Sequence, residues 1–363
     1  MWGDIAVAFL LAFITAYVIT PYTIRFAKKI GALDYPKESR KIHKKPMPRL
    51  GGIAVIAGFI VSVVYLLITM SIEKKITLFG NDQYYIKLTG FLSGIVILGL
   101  FCFFDDLKNI NPFLKLFGQI LAATAVVLSG IQIDRISIPY FSTIIPENIT
   151  AIVITIIWIV GITNAINLID GLDGLSSGVS LISCLSLVII FALNDSPLIS
   201  IILVTALGGA ILGFLPYNFN PARTFLGDTG SNFLGYSLSI ISILGMAKTY
   251  TAIVIVAPLF VFALPIIDTG FAIIRRIIKS KSLKGVFRAD KEHLHHKIMK
   301  HGYTQKQAVL ILYGLSATFG MFAIILLDSG IWKALSFALM IIAIVAVGYK
   351  DILRINNDKE EKN

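Results

Sequence analysis

The sequence predicts an all-α polytopic membrane protein of about eleven transmembrane helices, and three observations carry that prediction. Of the 363 residues, 56% are hydrophobic and only 15% are charged, whereas a soluble domain carries about 25% charged residues. The mean hydropathy of the chain is +0.83. Apolar stretches long enough to cross a bilayer, for which a helix needs about 20 residues, recur along the chain. Most of the surface is therefore expected to face lipid.

The predicted spans, in chain order, are 4–26, 51–70, 88–104, 114–130, 151–163, 177–193, 198–215, 231–247, 251–277, 308–327 and 331–348. We expect the first to be retained rather than cleaved as a signal peptide, because the first four residues carry no Lys or Arg and further spans follow. The fifth is short, so it is expected to tilt or to extend beyond these bounds. Residues 1–349 are expected to form one transmembrane domain, and 350–363 a charged cytoplasmic tail. Cys102 and Cys184 lie inside apolar runs, which favours packing over a disulfide.

Lys and Arg predict the orientation of the chain. If the N-terminus lies outside and the C-terminus in the cytoplasm, 26 of the 32 basic residues fall in inner segments and six in outer segments. This is the bias of the positive-inside rule. Many of these charges need no role beyond topology and contact with anionic headgroups, so we expect membrane lipids, and no nucleic acid, as partners.

Carboxylates mark the predicted span ends on the cytoplasmic side. Five of them occupy such positions: Asp105, Asp106, Asp170, Asp173 and Asp228. Transporters usually carry ionisable groups near mid-membrane, but here only Asp268 lies well inside a predicted span. The distribution favours an interfacial enzyme over a channel, a pump or a structural scaffold.

The adjacent aspartates Asp105 and Asp106 close the third span. Neighbouring carboxylates repel, and a divalent ion, a positive centre on a substrate or a nearby lysine would relieve the repulsion; Lys108 and Lys115 follow closely. The alternative is a solvated helix end.

Polar side chains recur at every third position around the end of the fifth span: Asn164, Asn167, Asp170 and Asp173. In a continuous helix these positions would lie along one face that rotates gradually around the helix axis. The alternative is that Gly171 and Gly174 allow the backbone to unwind there. Carboxylate and amide oxygens are ligands that magnesium takes together with phosphate oxygens.

The segment 227–231, which contains Asp228, Thr229 and Ser231, leads into the eighth span. One of these three side chains is a candidate N-cap of that helix. The alternative is that exposed amides at the helix start receive a phosphate.

Basic and histidine-rich loops complete the inner face. Four of the five histidines lie in 293–301, in a loop that also holds Arg288. A zinc site is one interpretation, although no inner-face cysteine accompanies the histidines. Basic groups opposite an acidic cluster suit a diphosphate held between them. The first inner loop, with Arg40 and His43, suits a phosphorylated lipid.

Taken together, these motifs resemble the polyprenyl-phosphate N-acetylhexosamine-1-phosphate transferases, over roughly residues 30–310. The first-loop pattern of that family is matched by Asp34, Pro36, Arg40, His43, Pro46, Pro48, Gly51 and Gly52. The other matches are Asp105 and Asp106 with Lys115, the stretches 164–174 and 227–231, and the histidines His293, His295 and His296. The residues Pro265, Asp268, Thr269, Arg275 and Arg276 look more like the branch that uses UDP-GlcNAc.

The resemblance implies transfer of N-acetylglucosamine 1-phosphate from UDP-GlcNAc to undecaprenyl phosphate in a bacterial inner membrane, with release of UMP. The product would start a surface glycan such as teichoic acid or O-antigen. Mg²⁺ is the implied cofactor, with Mn²⁺ as a substitute, and its ligands are expected among Asp228, Asn167, Asp105 and Asp106. Catalytic roles are expected for Asp105, Asp106, Asp170, Asp173, Asp228 and His295. Substrate contacts are expected for Arg40, His43, Lys115, Asn164, Asn167, Arg288, His293 and His296.

A lipid phosphate is largely ionised at pH 7, because its second pKa is about 6. Direct attack on the donor diphosphate therefore needs no strong base and is favoured over an aspartyl-phosphate intermediate. Asp170 and Asp173 either line the nucleotide pocket or act in catalysis. The rival interpretations are a phospho-MurNAc-pentapeptide transferase of peptidoglycan synthesis and a membrane transporter. A homodimer is a candidate assembly.

Overall fold

The computed structural model describes residues 2–36, 45–73, 83–133, 148–246, 252–280 and 293–343. The helices within these ranges are α1 (Trp2–Ile30), α2 (Gly52–Ile72), α3 (Gln83–Lys108), α4 (Pro112–Leu128), α5 (Asn148–Leu168), α6 (Leu175–Leu193), α7 (Leu198–Asn218), α8 (Gly227–Met246), α9 (Ala252–Val261), α10 (Ala263–Ser280), α11 (Leu294–Lys300), α12 (Gln305–Ser329) and α13 (Ile331–Ala343). Two short strands, β1 (Leu33–Asp34) and β2 (Met47–Pro48), pair antiparallel between α1 and α2.

The predicted membrane architecture is confirmed in its coarse form. Each of the eleven predicted spans overlaps a helix within the described ranges. Seven of these helices are long and apolar enough to cross a membrane, namely α1, α2, α3, α5, α6, α7 and α12. The number of crossings and the orientation stay predictions. The predicted tail 350–363 lies outside the described residues, and the division into one domain and a tail stays a prediction.

The fifth predicted span extends beyond its bounds at both ends, which is one of the two expected alternatives, because α5 covers 21 residues and includes the flanking polar positions. Polar side chains continue in this helix by bonding to the preceding turn. Thr155 Oγ1 donates to Ala151 O at 2.6 Å, and Asn164 Nδ2 donates to Val160 O at 2.9 Å. A polar residue whose hydrogen bonds are satisfied locally does not end a helix inside a membrane.

The ninth predicted span is two helices rather than one, with a break at Phe262 between α9 and α10. Pro265 has no backbone N–H and cannot donate to the carbonyl of Val261, four residues earlier. The hydroxyl of Ser183, from α6, donates to that carbonyl instead at 3.5 Å. The proline therefore accounts for the break.

Helix α8 lies at the centre of the bundle and contacts α2, α3, α5, α6 and α7. Every side chain from 229 to 245 is buried, among them Asn232, Ser237 and Ser239. A helix that is covered by other helices needs no apolar face for lipid, which explains why α8 carries so many polar residues. Its first turn brings Asp228 to one end of the bundle.

Candidate active site

The predicted acidic and amide groups converge at one end of the bundle. Helices α3 and α5 end there, and α2, α4 and α8 begin there. Consecutive long helices run in opposite directions, so alternate helix ends meet at the same end of the bundle. The site therefore collects side chains from α3, α4, α5 and α8 and from the segment that precedes α2.

Asp228 is the centre of this cluster. Its Oδ1 accepts hydrogen bonds from Lys115 Nζ and, at 2.8 Å, from Asn167 Nδ2. Its Oδ2 accepts from Arg49 Nη2 at 3.0 Å. Lys115 Nζ also donates to Asn167 Oδ1 at 3.1 Å, and Asn167 Nδ2 donates to Ser231 Oγ at 2.8 Å. One carboxylate is thus held between two cations and an amide.

Asp106 fixes the start of α8. Its side chain is fully buried, and its two oxygens accept from Asp228 N at 2.8 Å, Thr229 N at 2.9 Å and Thr229 Oγ1 at 2.6 Å. This corrects both sequence-based interpretations of the segment 227–231. Asp228, Thr229 and Ser231 are not N-caps, because α8 begins at Gly227. The first-turn amides of Asp228 and Thr229 are not open to a phosphate, because Asp106 occupies them.

Asp105 has different surroundings from its neighbour Asp106. Its Oδ1 accepts from Ile110 N at 2.9 Å, and its Oδ2 lies 3.2 Å from Lys115 Nζ. Lys115 therefore bridges Asp105 and Asp228. The lysine provides the relief of carboxylate repulsion that the sequence predicted for this pair.

A layer of amides, of which Gln119 and Asn232 are buried, lies next to the cluster on the bundle side. Gln119 Nε2 donates to Asn232 Oδ1 at 2.7 Å, and Asn164 Nδ2 donates to Gln119 Oε1 at 2.7 Å. Asn232 Nδ2 donates in turn to the carbonyl of Asp228 at 2.8 Å. These bonds join α4, α5 and α8. The structure places Asn164 in this supporting layer, and its predicted substrate contact stays a prediction.

The backbone unwinds after α5, as one of the two sequence-based alternatives has it. Asp170 and Asp173 lie in the turn 169–174, whose last residue, Gly174, has a φ of 77°. Tyr313 Oη, from α12, donates to the Gly174 carbonyl at 2.5 Å. Asp173 Oδ2 accepts from Asn220 Nδ2 at 2.9 Å and from the amide N of residue 222 at 3.1 Å. Asp173 therefore ties this turn to the loop that precedes α8.

Asp170 lies outside the helices but close enough to the cluster to respond to its charges. Burial, followed by the negative charges of Asp228 and Asp106, raises the pKa of Asp170 to about 8. Arg49 and Lys115 oppose that rise only in part. A carboxyl with this pKa is mostly protonated at pH 7, which distinguishes Asp170 from Asp228.

The segment 293–301, here called the histidine segment, is hydrogen-bonded to α10 and contacts the turn 169–174. His293 Nδ1 lies 2.8 Å from Asp268 Oδ2, and Leu294 N donates to Asp268 Oδ1 at 2.8 Å. His295 packs on Gly171, where a Cβ atom would lie 2.7 Å from His295 Nε2. Its ring lies between those of His293, at 5.8 Å between centroids, and His296, at 4.2 Å.

His295 is buried, and within the described residues its Nε2 has no hydrogen-bond partner. Burial, then the charges of His296 and His293, lower the pKa of His295 to about 3. The imidazole is therefore neutral at pH 7. The unpaired nitrogen faces the turn of Asp170 at Gly171, and the predicted catalytic role of His295 stays a prediction.

Three predicted substrate-binding residues lie outside the described residues, namely Arg40, His43 and Arg288. Conversely, Arg49 and Gln119 lie in or beside the cluster although the sequence did not single them out. Arg49 stands two residues before Gly51, and that glycine pair was the available signal. Gln119 is a polar residue inside an apolar span, which was a weaker signal.

The oxygen donors of the cluster fit a magnesium ion that completes its shell with water and phosphate. Within the described ranges, no three His, Cys, Asp or Glu side chains converge closely enough to hold a metal alone. Magnesium is usually held by one or two carboxylates together with substrate phosphates. Asp228 and Asp105 offer such carboxylates and Asn167 an amide oxygen, whereas both oxygens of Asp106 are already occupied by α8.

Comparison with known proteins yields one family. Residues 88–246 match the model of glycosyl transferase family 4. This range contains the paired aspartates, Lys115, the turn 169–174 and the start of α8.

Relatives match over most of their length. A Bacillus subtilis protein named "probable undecaprenyl-phosphate N-acetylglucosaminyl 1-phosphate transferase" is 39% identical over 98% of this chain and 94% of its own. A decaprenyl-phosphate N-acetylglucosaminephosphotransferase of Mycolicibacterium smegmatis is 32% identical over 94% and 87%. An undecaprenyl-phosphate alpha-N-acetylglucosaminyl 1-phosphate transferase of Haemophilus influenzae is 33% identical over 86% and 83%. The chain therefore belongs to glycosyl transferase family 4, among the polyprenyl-phosphate N-acetylhexosamine-1-phosphate transferases that its motifs resemble.

Proposed function

We propose that this protein transfers N-acetylglucosamine 1-phosphate from UDP-GlcNAc to undecaprenyl phosphate, with release of UMP. The observation that carries the proposal is the cluster of Asp228, Asp105, Asn167, Lys115 and Arg49 at one end of a membrane bundle. There a water-soluble nucleotide sugar and the phosphate of a lipid can meet. The names of the three relatives support this donor and a polyprenyl phosphate acceptor.

In the proposed reaction, an oxygen of the lipid phosphate forms a bond to the β-phosphorus of UDP-GlcNAc. The bond from that phosphorus to the bridging oxygen breaks, and the bridging oxygen leaves as part of UMP. Phosphoryl transfer depends mainly on positioning and on neutralisation of charge. Lys115, held between Asp105 and Asp228, supplies positive charge at the site. The lipid phosphate is already ionised at pH 7, so the cluster needs no strong base.

We propose Mg²⁺ as the cofactor, with Mn²⁺ as a substitute, and Asp228, Asp105 and Asn167 as the residues that hold it. A bound Mg²⁺ would neutralise the phosphate charge that develops during transfer. Asp106, the fourth predicted ligand, is better suited to hold Asp228 in place, because its oxygens face the amides of α8.

The turn 169–174 and the histidine segment suit the recognition of the donor. His295 has a neutral ring whose Nε2 accepts a hydrogen bond or donates one according to its tautomer. Asp170, which is mostly protonated, is suited to donate to a sugar or nucleotide oxygen. These roles for His295 and Asp170 form part of the proposal.

The bias of Lys and Arg supports placement of this end of the bundle in the cytoplasm, with the N-terminus outside. We propose a bacterial inner membrane as the location, and a lipid-linked surface glycan such as teichoic acid or O-antigen as the product of the pathway. The second candidate substrate is UDP-MurNAc-pentapeptide. The three relatives named above favour GlcNAc over it.

A transfer assay tests the proposal. Purified protein, Mg²⁺ and undecaprenyl phosphate are incubated with UDP-GlcNAc, UDP-GalNAc or UDP-MurNAc-pentapeptide, and both lipid product and UMP are quantified. We expect lipid-linked GlcNAc 1-phosphate and one equivalent of UMP from UDP-GlcNAc. Product only from UDP-MurNAc-pentapeptide would assign the chain to peptidoglycan synthesis. Flux of a sugar across sealed vesicles without any lipid product would instead indicate a transporter.

A further inference from the structure

Arg49 is the cation of the cluster that the sequence analysis does not single out among the basic residues of the first loop. Its Nη2 donates to Asp228 Oδ2 at 3.0 Å, and its Nε lies 3.6 Å from Asp106 Oδ1. Its Nη1 donates to Asn109 Oδ1 at 3.1 Å. The side chain is 19% exposed, so it is not sealed off from solvent.

The backbone around Arg49 is fixed to the loop that precedes α8. Phe225 N donates to Pro48 O at 2.8 Å, and Gly51 N donates to Phe225 O at 3.1 Å. Gly52 N donates to the carbonyl of residue 226 at 2.8 Å. Gly52 also packs directly on the backbone of Gly230, in the first turn of α8, where a side chain would not fit. These contacts hold the backbone of Arg49 beside Asp228, so a change of partner would require rotation of the Arg49 side chain.

The two oxygens of Asp228 are occupied unequally. Oδ1 accepts from both Lys115 and Asn167 and has no free lone pair. Oδ2 accepts from Arg49 alone among the described residues. A carboxylate oxygen takes two such contacts, so the open position on Asp228 is on Oδ2, beside the guanidinium.

A divalent cation at Oδ2 would therefore share one oxygen with Arg49. The ion pairs of the cluster join three carboxylates, of Asp105, Asp106 and Asp228, to two cations, so its charge is −1 without metal. Two added positive charges change the charge to +1 and repel the guanidinium. A planar guanidinium released from a carboxylate is matched best by a phosphate, to which it donates two parallel hydrogen bonds.

We propose that Arg49 binds a substrate phosphate, and that Asp228 holds it until a divalent cation binds the same carboxylate oxygen and repels the guanidinium. This inference rests on the proposed transferase function and adds a coupling between cation and phosphate. The phosphate belongs either to the donor diphosphate or to the lipid acceptor, and the test below separates these two sources.

The competition is tested first without any substrate. Mn²⁺ binding to the purified protein is titrated by electron paramagnetic resonance of the free ion, for wild type, Arg49→Gln and Lys108→Gln. Lys108 is an exposed cation at the same end of α3 and, within the described ranges, forms no ion pair with the cluster. We expect Arg49→Gln to tighten Mn²⁺ binding about fivefold. Lys108→Gln is expected to change it less than about twofold.

The phosphate contact is tested by steady-state kinetics of the same proteins. We expect Arg49→Gln to raise KM about tenfold for one substrate, either UDP-GlcNAc or undecaprenyl phosphate, and the substrate affected identifies the phosphate. Lys108→Gln is expected to leave both KM values unchanged. If Arg49→Gln does not fold, Arg49→Lys serves instead. Arg49→Lys keeps the positive charge, so its Mn²⁺ affinity is expected within about twofold of wild type. A lysine cannot donate two parallel hydrogen bonds to a phosphate, so the KM of the substrate that carries this phosphate is expected to rise.

Three results would overturn the proposal. In the first, Arg49→Gln weakens Mn²⁺ binding or changes it no more than Lys108→Gln does. In the second, both KM values are unchanged in Arg49→Gln. In the third, Arg49→Gln does not fold, and Arg49→Lys, which replaces it in the test, leaves both KM values unchanged. If wild type shows no transfer at all, the proposed function fails, but the Mn²⁺ titration still decides whether Arg49 and a cation compete for Asp228.

Discussion

Adjacent residues of one motif differ in what their oxygens contact. Asp105 and Asp106 are neighbours at the end of α3, yet Asp105 faces Lys115 whereas Asp106 faces the first amides of α8. The side chain of Asp106 is fully buried and that of Asp105 is 11% exposed. We infer that Asp106 is a positioning residue for Asp228 and that Asp105 is the member of the pair available to substrate or metal.

This difference predicts a contrast between two matched variants. Asp106→Asn replaces an acceptor oxygen by an NH₂ group that faces N–H and O–H donors, and a buried group left unpaired costs about 1–3 kcal/mol. Asp106→Asn is therefore expected to lower the thermal unfolding temperature clearly more than Asp105→Asn does, in the same detergent and without metal. Asp105→Asn is expected to reduce kcat while it leaves unfolding nearly unchanged. Equal losses of stability in the two variants would refute the assignment.

The sequence predicts the polar motifs at the span ends but not their pairing. Apolar length predicts the helices, and Asp105, Asn167 and Asp228 each lie at a predicted span end on the same side of the membrane. Arg49 is one of nine basic residues in 25–49, and only the glycine pair that follows it distinguishes it locally. Its role depends on the pairing of 48–52 with 225–226, a contact between segments about 175 residues apart. The cap that Asp106 provides for α8 was missed for the same reason.

At the level of elements, helix α11 is held by one carboxylate of α10. Asp268 contacts the ring of His293 and the first amide of α11, and thereby fixes the segment that brings His295 onto Gly171. The sequence showed Asp268 as a lone carboxylate inside a span. The structure gives the physical reason for its position, since its partners come from the segment that follows α10 in the chain.

The contact between Asp268 of α10 and His293 is tested by a double-mutant cycle. Asp268→Asn and His293→Ala are each expected to lower kcat/KM about tenfold. The double variant is expected to be no worse than the poorer single variant, because both changes remove the same contact. The kcat/KM values of wild type, the two single variants and the double variant are obtained from initial rates of UMP release. Fully multiplicative losses would show that the two residues act independently.

For the whole molecule, a central helix covered by protein brings a charged cluster to one end of a lipid-facing bundle. The distribution of Lys and Arg predicts that this end is cytoplasmic. The donor is a soluble nucleotide, so the predicted orientation and the proposed activity agree on which compartment the site faces.

Single cysteines test the orientation, because Cys102 and Cys184 are both buried. Lys306 and Lys333 are exposed residues at the starts of α12 and α13 and are predicted to lie on opposite sides. A membrane-impermeant maleimide is expected to label Lys306→Cys in inside-out vesicles only. Lys333→Cys is expected to be labelled in intact cells or spheroplasts only. The reverse pattern would contradict the predicted orientation and place the cluster outside.

The most direct test of the central claim is the transfer assay with wild type, Asp228→Asn and Asp195→Asn. Asp195 is an exposed aspartate in the turn between α6 and α7, at the opposite end of the bundle, and serves as the matched control. We predict that Asp228→Asn lowers kcat by about 100-fold or more. Asp195→Asn is expected to retain the wild-type rate, and all three proteins to elute as the same folded species. A wild-type rate in folded Asp228→Asn would contradict the assignment of this cluster as the active site.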